Sequence, residues 1–263
     1  MPYGSPDKAA YVPGAQTITR ALEVLSIVRS SDAEVSASEV SRALNLHLSI
    51  VHRALKALLG SGYVAQSDVT GKYRLGREAF LLGRAAERDL GLNAVIPLLE
   101  ELRDETGESV NLVVRDGDQG LVILRVESRS PFRFSQPSGS RIPLHCTSTG
   151  KVILAFSGDL HANVRGLSQL PQFTEQTITS REGLIANLEE AFNRGYATNL
   201  DERVEGVSGT SAPVFSHSDD FIAALAIQGP TVRLTQSVLP ELGRAAMDAA
   251  SKVAELLPSG YRL

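Results

Sequence analysis

Ser49, His52, Arg53 and Lys56 fall at i, i+3, i+4 and i+7 in the run LSIVHRALKALLGSGYV, residues 48 to 64. On a helix that spacing lines them along one face, while Val51, Ala54, Leu55, Leu58 and Leu59 gather on another. A hydroxyl, an imidazole, a guanidinium and an ammonium in one row, with no acid among them, suit phosphate oxygens and base edges. A merely solvated helix face is the alternative reading. Lys72 and Arg74 add two cations beside the turn DVTG. A second group of polar atoms lies in HCTSTGK, residues 145 to 151, where Ser148 and Thr149 open an apolar helical run. Hydroxyls and unbonded amides at a helix start form a seat for a carboxylate, although the same residues can simply cap the helix.

Catalytic signatures fail on inspection. His145 stands where a phosphate-binding loop needs glycine, and GVSGT lacks the final glycine of a nucleophile elbow. Cys146 follows His145, but neighbours on a strand point to opposite faces, so a buried structural thiol is the expectation rather than a nucleophile and its base. His47 and His52 are five residues apart and do not share the helical face that a zinc pair requires. No catalytic residue, metal site or cofactor is expected. An enzyme of unrecognised chemistry and a winged-helix adaptor for protein partners remain as alternatives, the latter separable by salt, because phosphate binding weakens steeply as salt rises.

The elements that must position these groups can be read in order. In TITRALEVLSIVRS a helical period puts Ile18, Leu22, Leu25, Ile27 and Val28 on the apolar face. Ser36 and Glu39 have the spacing of a capping box before a second short helix, in which Val40, Ala43 and Leu44 face the core. Asn45 tolerates left-handed geometry and should stop that helix before a third begins near Leu48. After Gly60, Ser61 and Gly62, YVAQSDVTGKYRLG reads as a hairpin whose Gly71 is free to take positive φ. Three helices and a basic hairpin make a winged helix-turn-helix, the third helix placed for the major groove and the wing for phosphates of double-stranded DNA.

The expected organisation is a loose N-terminal arm (1–14), the winged module (15–76), a connecting helix (77–90) and an α+β domain (91–263). In the last, strands are expected at SVNLVVRD, GLVILRVES, FRFSQP, GTSAPVF and FIAALAIQG, with helices near 148–156, 181–194 and 237–257, giving a mainly antiparallel sheet.

Charge follows that division. Residues 1 to 90 hold 11 Lys and Arg against 9 Asp and Glu, and residues 36 to 76 hold five against two, within a chain of net charge −4. The basic excess therefore sits on the winged module. One cysteine excludes an intramolecular disulfide. No apolar run approaches the roughly 18 residues of a membrane span, and MPYGSPDKAAYVPG lacks a secretory h-region, so a cytoplasmic protein with no membrane partner is expected.

Several stretches together, TRALEVLSIV, IPLHCTSTGK, STGKVILAF, RGYATN, SAPVF and IQGPTVRLT, resemble the IclR family of bacterial transcriptional regulators from about residue 17 to the C-terminal helix. The resemblance implies a DNA-binding winged helix-turn-helix, a linker helix and a GAF-like effector-binding domain, in homodimers or tetramers on palindromic operators. It also implies a ligand-responsive regulator, with a repressor of a catabolic operon expected.

By the same resemblance the effector pocket would include Phe134 from the strand before GSRIPLH, Ile142, and the helix opening at Ser148 and Thr149. Asn199, then Val207 and Gly209, then Ala226 and Gln228 would complete it. Two departures matter. Leu48, Ser49 and Ile50 stand where relatives usually have Lys-Ser-Thr, and Ser208 and Gly209 where many have Arg-Cys. With no lysine or arginine expected inside, the implied effector is a small organic acid with an apolar or aromatic body, its carboxylate held by helix amides and neutral donors.

Overall fold

The computed structural model describes residues 14–31 and 33–257; all but the last residue of the expected N-terminal arm lie outside the described residues. The chain divides into two compact units that meet in sequence between Asp89 and Leu90. The first contains α1 (Gln16–Arg29), α2 (Ala37–Leu44), α3 (Leu48–Gly60), β1 (Val64–Gln66), β2 (Tyr73–Leu75) and α4 (Arg77–Asp89).

Local signals account for its turns. The Ser36 hydroxyl accepts from the Glu39 amide while the Glu39 carboxylate accepts from the Ser36 amide at 2.7 Å, so α2 starts with a reciprocal cap. Asn45 ends it at φ 50°, ψ 42°. The resulting tight turn leads directly to α3, whose Val51, Leu55 and Leu58 pack with Val24, Val28, Val40, Val64 and Tyr73 in one core. β1 and β2 pair antiparallel as a hairpin, with Gly71 at φ +69° in its tip, and Val35 extends the ladder by exchanging two backbone hydrogen bonds with Tyr73.

Three expected faces are corrected. In α1 the buried residues are Val24 and Val28, whereas Ile18 and Leu22 stand 65% and 57% exposed. The helix meets its neighbours through its C-terminal half, so the apolar residues of its first turns have nothing to cover them among the described residues of this unit. Ala43 and Leu59 are also exposed, each one position off the stripe that touches the core through Leu44 and Leu58.

The second unit runs α5 (Leu92–Thr106), β3 (Ser109–Asp116), β4 (Gln119–Val126), β5 (Arg141–Pro143), α6 (Ser148–Phe156), α7 (Leu160–Gly166), α8 (Arg181–Arg194), β6 (Ala197–Leu200), β7 (Val207–Phe215), β8 (Phe221–Pro230) and α9 (Leu239–Leu256). Its six strands form one antiparallel sheet in the order β5-β4-β3-β8-β7-β6. The α+β class and antiparallel sheet are as expected. Val110, Leu112, Leu225 and Ile227 point to the face covered by α5 and α9. Val113, Ala197 and Ala224 point to the face covered by α6 and α8.

FRFSQP is not a strand: residues 132–137 are irregular, and the sheet edge is formed instead by the short β5. Pro137 ends the segment without an amide to donate, and Gly139 turns the chain at φ +87°. At the opposite edge, β6 arises from RGYATN. Three or four residues carry too little alternation to announce a strand.

Candidate DNA interface and effector site

On α3 the inward anchors Val51, Leu55 and Leu58 leave Ser49, His52, Arg53 and Lys56 on the exposed side. The stripe therefore exists as a surface. Its N-terminal end is organised by His47, whose ring nitrogen Nδ1 accepts from the Ser49 amide at 3.3 Å and lies 2.9 Å from the Ser49 hydroxyl. Leu48 beside it is 39% exposed, and Ile50 is half-buried. In the wing, Arg74 is exposed on β2, opposite Ala65. Lys72 Nζ lies 4.0 Å from Glu39 Oε2, both side chains about half exposed, an ion pair loose enough to yield to a phosphate. The Ser36 amide and hydroxyl, with Lys72 behind them, hold the Glu39 carboxyl below its ordinary range, so it stays ionised beneath the wing. None of the six sequence-selected residues in this unit is buried.

In the second unit the cap of α6 falls to Thr147, not to Ser148 or Thr149. Its hydroxyl accepts from the Gly150 amide at 3.1 Å and donates to the Pro143 carbonyl at 2.7 Å. Ser148 and Thr149 are thereby released from capping, and their own amides sit in the first turn, where no intrahelical acceptor exists. Gly150 lets the helix approach this closely: a Cβ there would stand 2.3 Å from backbone atoms of Leu144.

The helix start rests on a polar stretch of the sheet. Residues opposite each other in an antiparallel pair share a face, and the register aligns Asn199, Gly209, Gln228 and Ser109 in one row and Ala197, Ser211, Ala226 and Asn111 in the next. Ala197 belongs to the core beneath α6, which fixes that face. The Ser211 hydroxyl donates to the Ser148 hydroxyl at 2.7 Å, tying sheet to helix. Asn111 Nδ2 donates to Gln228 Oε1 at 3.1 Å. Asn111 Oδ1 and Thr149 Oγ1 are buried with no hydrogen-bond partner among the described residues.

Of the nine residues carried over as a pocket, Ser148, Thr149, Asn199, Gly209, Ala226 and Gln228 come together here. Phe134 joins them from irregular chain rather than a strand, its carbonyl accepting from the Ser109 hydroxyl at 3.0 Å. Ile142 packs in the hydrophobic core under α6, and Val207 lies half-buried at the end of its strand, opposite Pro230. Asn199 spends its carboxamide oxygen on the Glu202 amide at 2.9 Å. The sequence reading missed Ser109, Asn111 and Ser211, because in a strand covered on both sides polar residues interrupt no visible alternation.

Lys151 is 1% exposed inside this unit, its ammonium donating to Glu202 Oε1 at 2.6 Å and to the Thr198 carbonyl at 3.1 Å. Burial pushes the Glu202 carboxyl up and the Lys151 ammonium down, and their mutual attraction opposes both shifts. The pair is neutral as a unit, so it places no free cation in the site. Arg203, half-buried, donates to Gln136 Oε1 at 2.9 Å.

Burial pushes the Cys146 thiol up to about 12, so it carries no thiolate at neutral pH. His145 Nε2 is held at 3.0 Å by the Pro171 carbonyl, and burial lowers its pKa. A thiol so protonated is no ready nucleophile. Among the described residues no His, Cys, Asp and Glu cluster suits a metal, and no helix is long and apolar enough to cross a membrane.

Comparison with known proteins decides the family. The model of the IclR helix-turn-helix domain matches residues 17–68, and that of the bacterial transcriptional regulator IclR C-terminal domain matches residues 88–255. The chain belongs to the IclR family. Among its curated relatives are the HTH-type transcriptional repressor AllR of Escherichia coli, 30% identical over 97% of this chain and 95% of that protein, and the regulator BhcR of Paracoccus denitrificans, 31% identical over 91% and 86%. The Thermotoga maritima IclR structure superposes with a TM-score of 0.71 at 26% identity, covering 94% of this chain and 99% of that one. An IclR homologue of Microbacterium hydrocarbonoxydans, solved with 4-hydroxybenzoate, shares the fold at a TM-score of 0.77 and 21% identity, covering 91% and 99%. This IclR-family protein is a DNA-binding transcriptional regulator, and its role is not enzymatic.

Proposed function

We propose that this regulator is a repressor that grips double-stranded operator DNA with α3 and the wing, and lets go when a small organic acid binds between α6 and the sheet. Residues 15–76 then act as the DNA-binding module, 77–90 as the linker helix and 91–263 as the effector domain. The observation that carries the effector half is the meeting of a helix start having two unused amides with a sheet face holding Asn111, Ser211 and Gln228. Helix amides and neutral donors supply about 1 kcal/mol each to a carboxylate. The name of AllR as a repressor and the 4-hydroxybenzoate in the Microbacterium homologue support the two halves.

Regulation follows from differential affinity. An acid that binds one arrangement of the effector domains more tightly shifts the population toward it, and that arrangement sets the spacing of paired recognition helices. Pairing is supported by the first unit's uncovered apolar side chains. No residue of α4 is buried, and Phe80, Leu81 and Leu82 stand 66%, 55% and 57% exposed, a surface suited to a second copy in a homodimer or tetramer. A regulator of this kind works in the cytoplasm.

A thermal-shift screen of small carboxylic acids tests the effector half. Binding acids should raise the melting temperature of the wild-type chain, and Gln228→Leu should reduce that rise. Gly209 is a poorer probe, because a Cβ there would stand 2.7 Å from the Ile227 carbonyl and distort the strand. Hits that are indifferent to Gln228→Leu would place the ligand elsewhere.

The wing makes its own prediction. Changing Lys72 and Arg74 together to Ala should weaken specific and nonspecific DNA alike and flatten the dependence of log K on log salt by about two units, because each cation releases roughly one counterion. Titrations across a salt series measure that slope; a loss confined to one sequence would mean that the wing reads bases.

A further inference from the structure

Asn111 lies on β3 with 1% of its surface exposed, on the sheet face that α6 covers. Its amide nitrogen is spent on Gln228 Oε1, and its carboxamide oxygen meets no donor among the described residues. Gln228 is itself closely packed against Gly209. Its Cγ stands 3.0 Å from where a Cβ of residue 209 would be, so it occupies space that only glycine leaves open. A buried carbonyl oxygen without a donor is costly, and native proteins seldom leave one without a use.

The surroundings show what that use requires. Ala226 is paired with Asn111 on one side and Ser211 on the other, so only a methyl group separates the carboxamide from the Ser211–Ser148 hydroxyl pair. Past that pair lie the free first-turn amides of α6 and the unpartnered hydroxyl of Thr149. The helix side offers donors, which suit a carboxylate. The Asn111 side offers an acceptor, which repels a carboxylate and needs an O–H or N–H. Lys151 is engaged with Glu202, and the Arg203 guanidinium with Gln136.

From this polarity we propose that Asn111 is the specificity-determining residue for the effector, selecting carboxylic acids that carry a hydroxyl group as hydrogen-bond donor over analogues that lack it. The inference rests on the effector-site reading above. The carboxylate lies at the Ser148–Thr149 end, and the hydroxyl donates to Asn111 Oδ1. An acid without the hydroxyl leaves that oxygen buried and unmet, which is the most discriminating kind of mismatch a site can impose.

Isothermal titration of the full chain with 4-hydroxybenzoate against benzoate, and lactate against propionate, tests the proposal. In at least one pair the hydroxylated member should bind about tenfold or more tightly than its partner. Asn111→Leu should erase that preference by weakening the hydroxylated acid alone; Asn111→Ala serves if the leucine variant fails to fold. Thr149→Val scores the site separately and should weaken both members of a pair. Equal affinities in the wild type, with Thr149→Val still weakening both, would overturn the donor selection while the site stands. A preference that survives at Asn111→Leu and Asn111→Ala would overturn it as well. If none of the four acids binds, or binding ignores Thr149→Val, the site reading falls and the proposal falls with it.

Discussion

Lys151→Met should destabilise the C-terminal unit by about 3–5 kcal/mol, the usual cost of removing one partner from a buried ion pair. The ammonium is 1% exposed and holds both Glu202 Oε1 and the Thr198 carbonyl. Without it, a carboxylate that is 8% exposed faces no cation, and the second oxygen of Glu202 already lacks a partner. Replacing both residues, Lys151→Met with Glu202→Leu, should recover most of the loss, because a well-packed apolar pair avoids desolvating two charges. The chain has no tryptophan, so calorimetry or far-ultraviolet circular dichroism is the measurement.

The single variant should also be pH-sensitive in a defined direction. Burial raises the Glu202 carboxyl above its ordinary 4.5, and the variant removes the one cation opposing that rise. A folded-state pKa above the unfolded one means that the folded chain holds a proton the unfolded chain releases. Its stabilising effect is fully present below about 4.5 and is lost as pH climbs through the raised value. Relative to wild type, Lys151→Met should therefore suffer less in mild acid than at neutral pH. An unchanged melting curve in both conditions would show that the pair contributes nothing to stability.

How much of this could be read from the chain depends on whether one face of an element meets water. The capping box at Ser36 and Glu39, the left-handed Asn45 and the positive φ of Gly71 are local chemistry, legible without tertiary context. The stripe on α3 is legible because one side is buried and the other is not. α6 is the opposite case. Every residue from Ser148 to Ala155 is buried, so no periodicity separates Lys151 from the exposed lysine it resembles in sequence. Asn111 is hidden in the same way within the doubly covered strand SVNLVV. Ile18 and Leu22 misled for a further reason: a helical pattern shows that an apolar face exists, not which molecule covers it.

Arg53→Ala should weaken specific operator binding by about 1–3 kcal/mol, on the order of fivefold to 150-fold, while leaving the melting temperature unchanged. The side chain is exposed in the middle of α3, one residue from His52 and three from Lys56, and the core contacts of the helix are made by Val51, Leu55 and Leu58 on the other side. Removing it thus costs DNA contact and no packing. The departure at the start of the helix raises its share: Leu48 and Ile50 offer no charge or hydrogen bond, and the Ser49 hydroxyl is already engaged with His47. An apolar contact such as Ile50 against a thymine methyl adds sequence preference but little electrostatic attraction. If Arg53 touches a base edge, its loss should relax specificity at one base pair. If it touches a phosphate, all sequences should weaken equally and the salt slope should fall by about one. Titration of specific and scrambled duplexes at fixed salt separates these outcomes, and unchanged affinity for both would remove Arg53 from the interface.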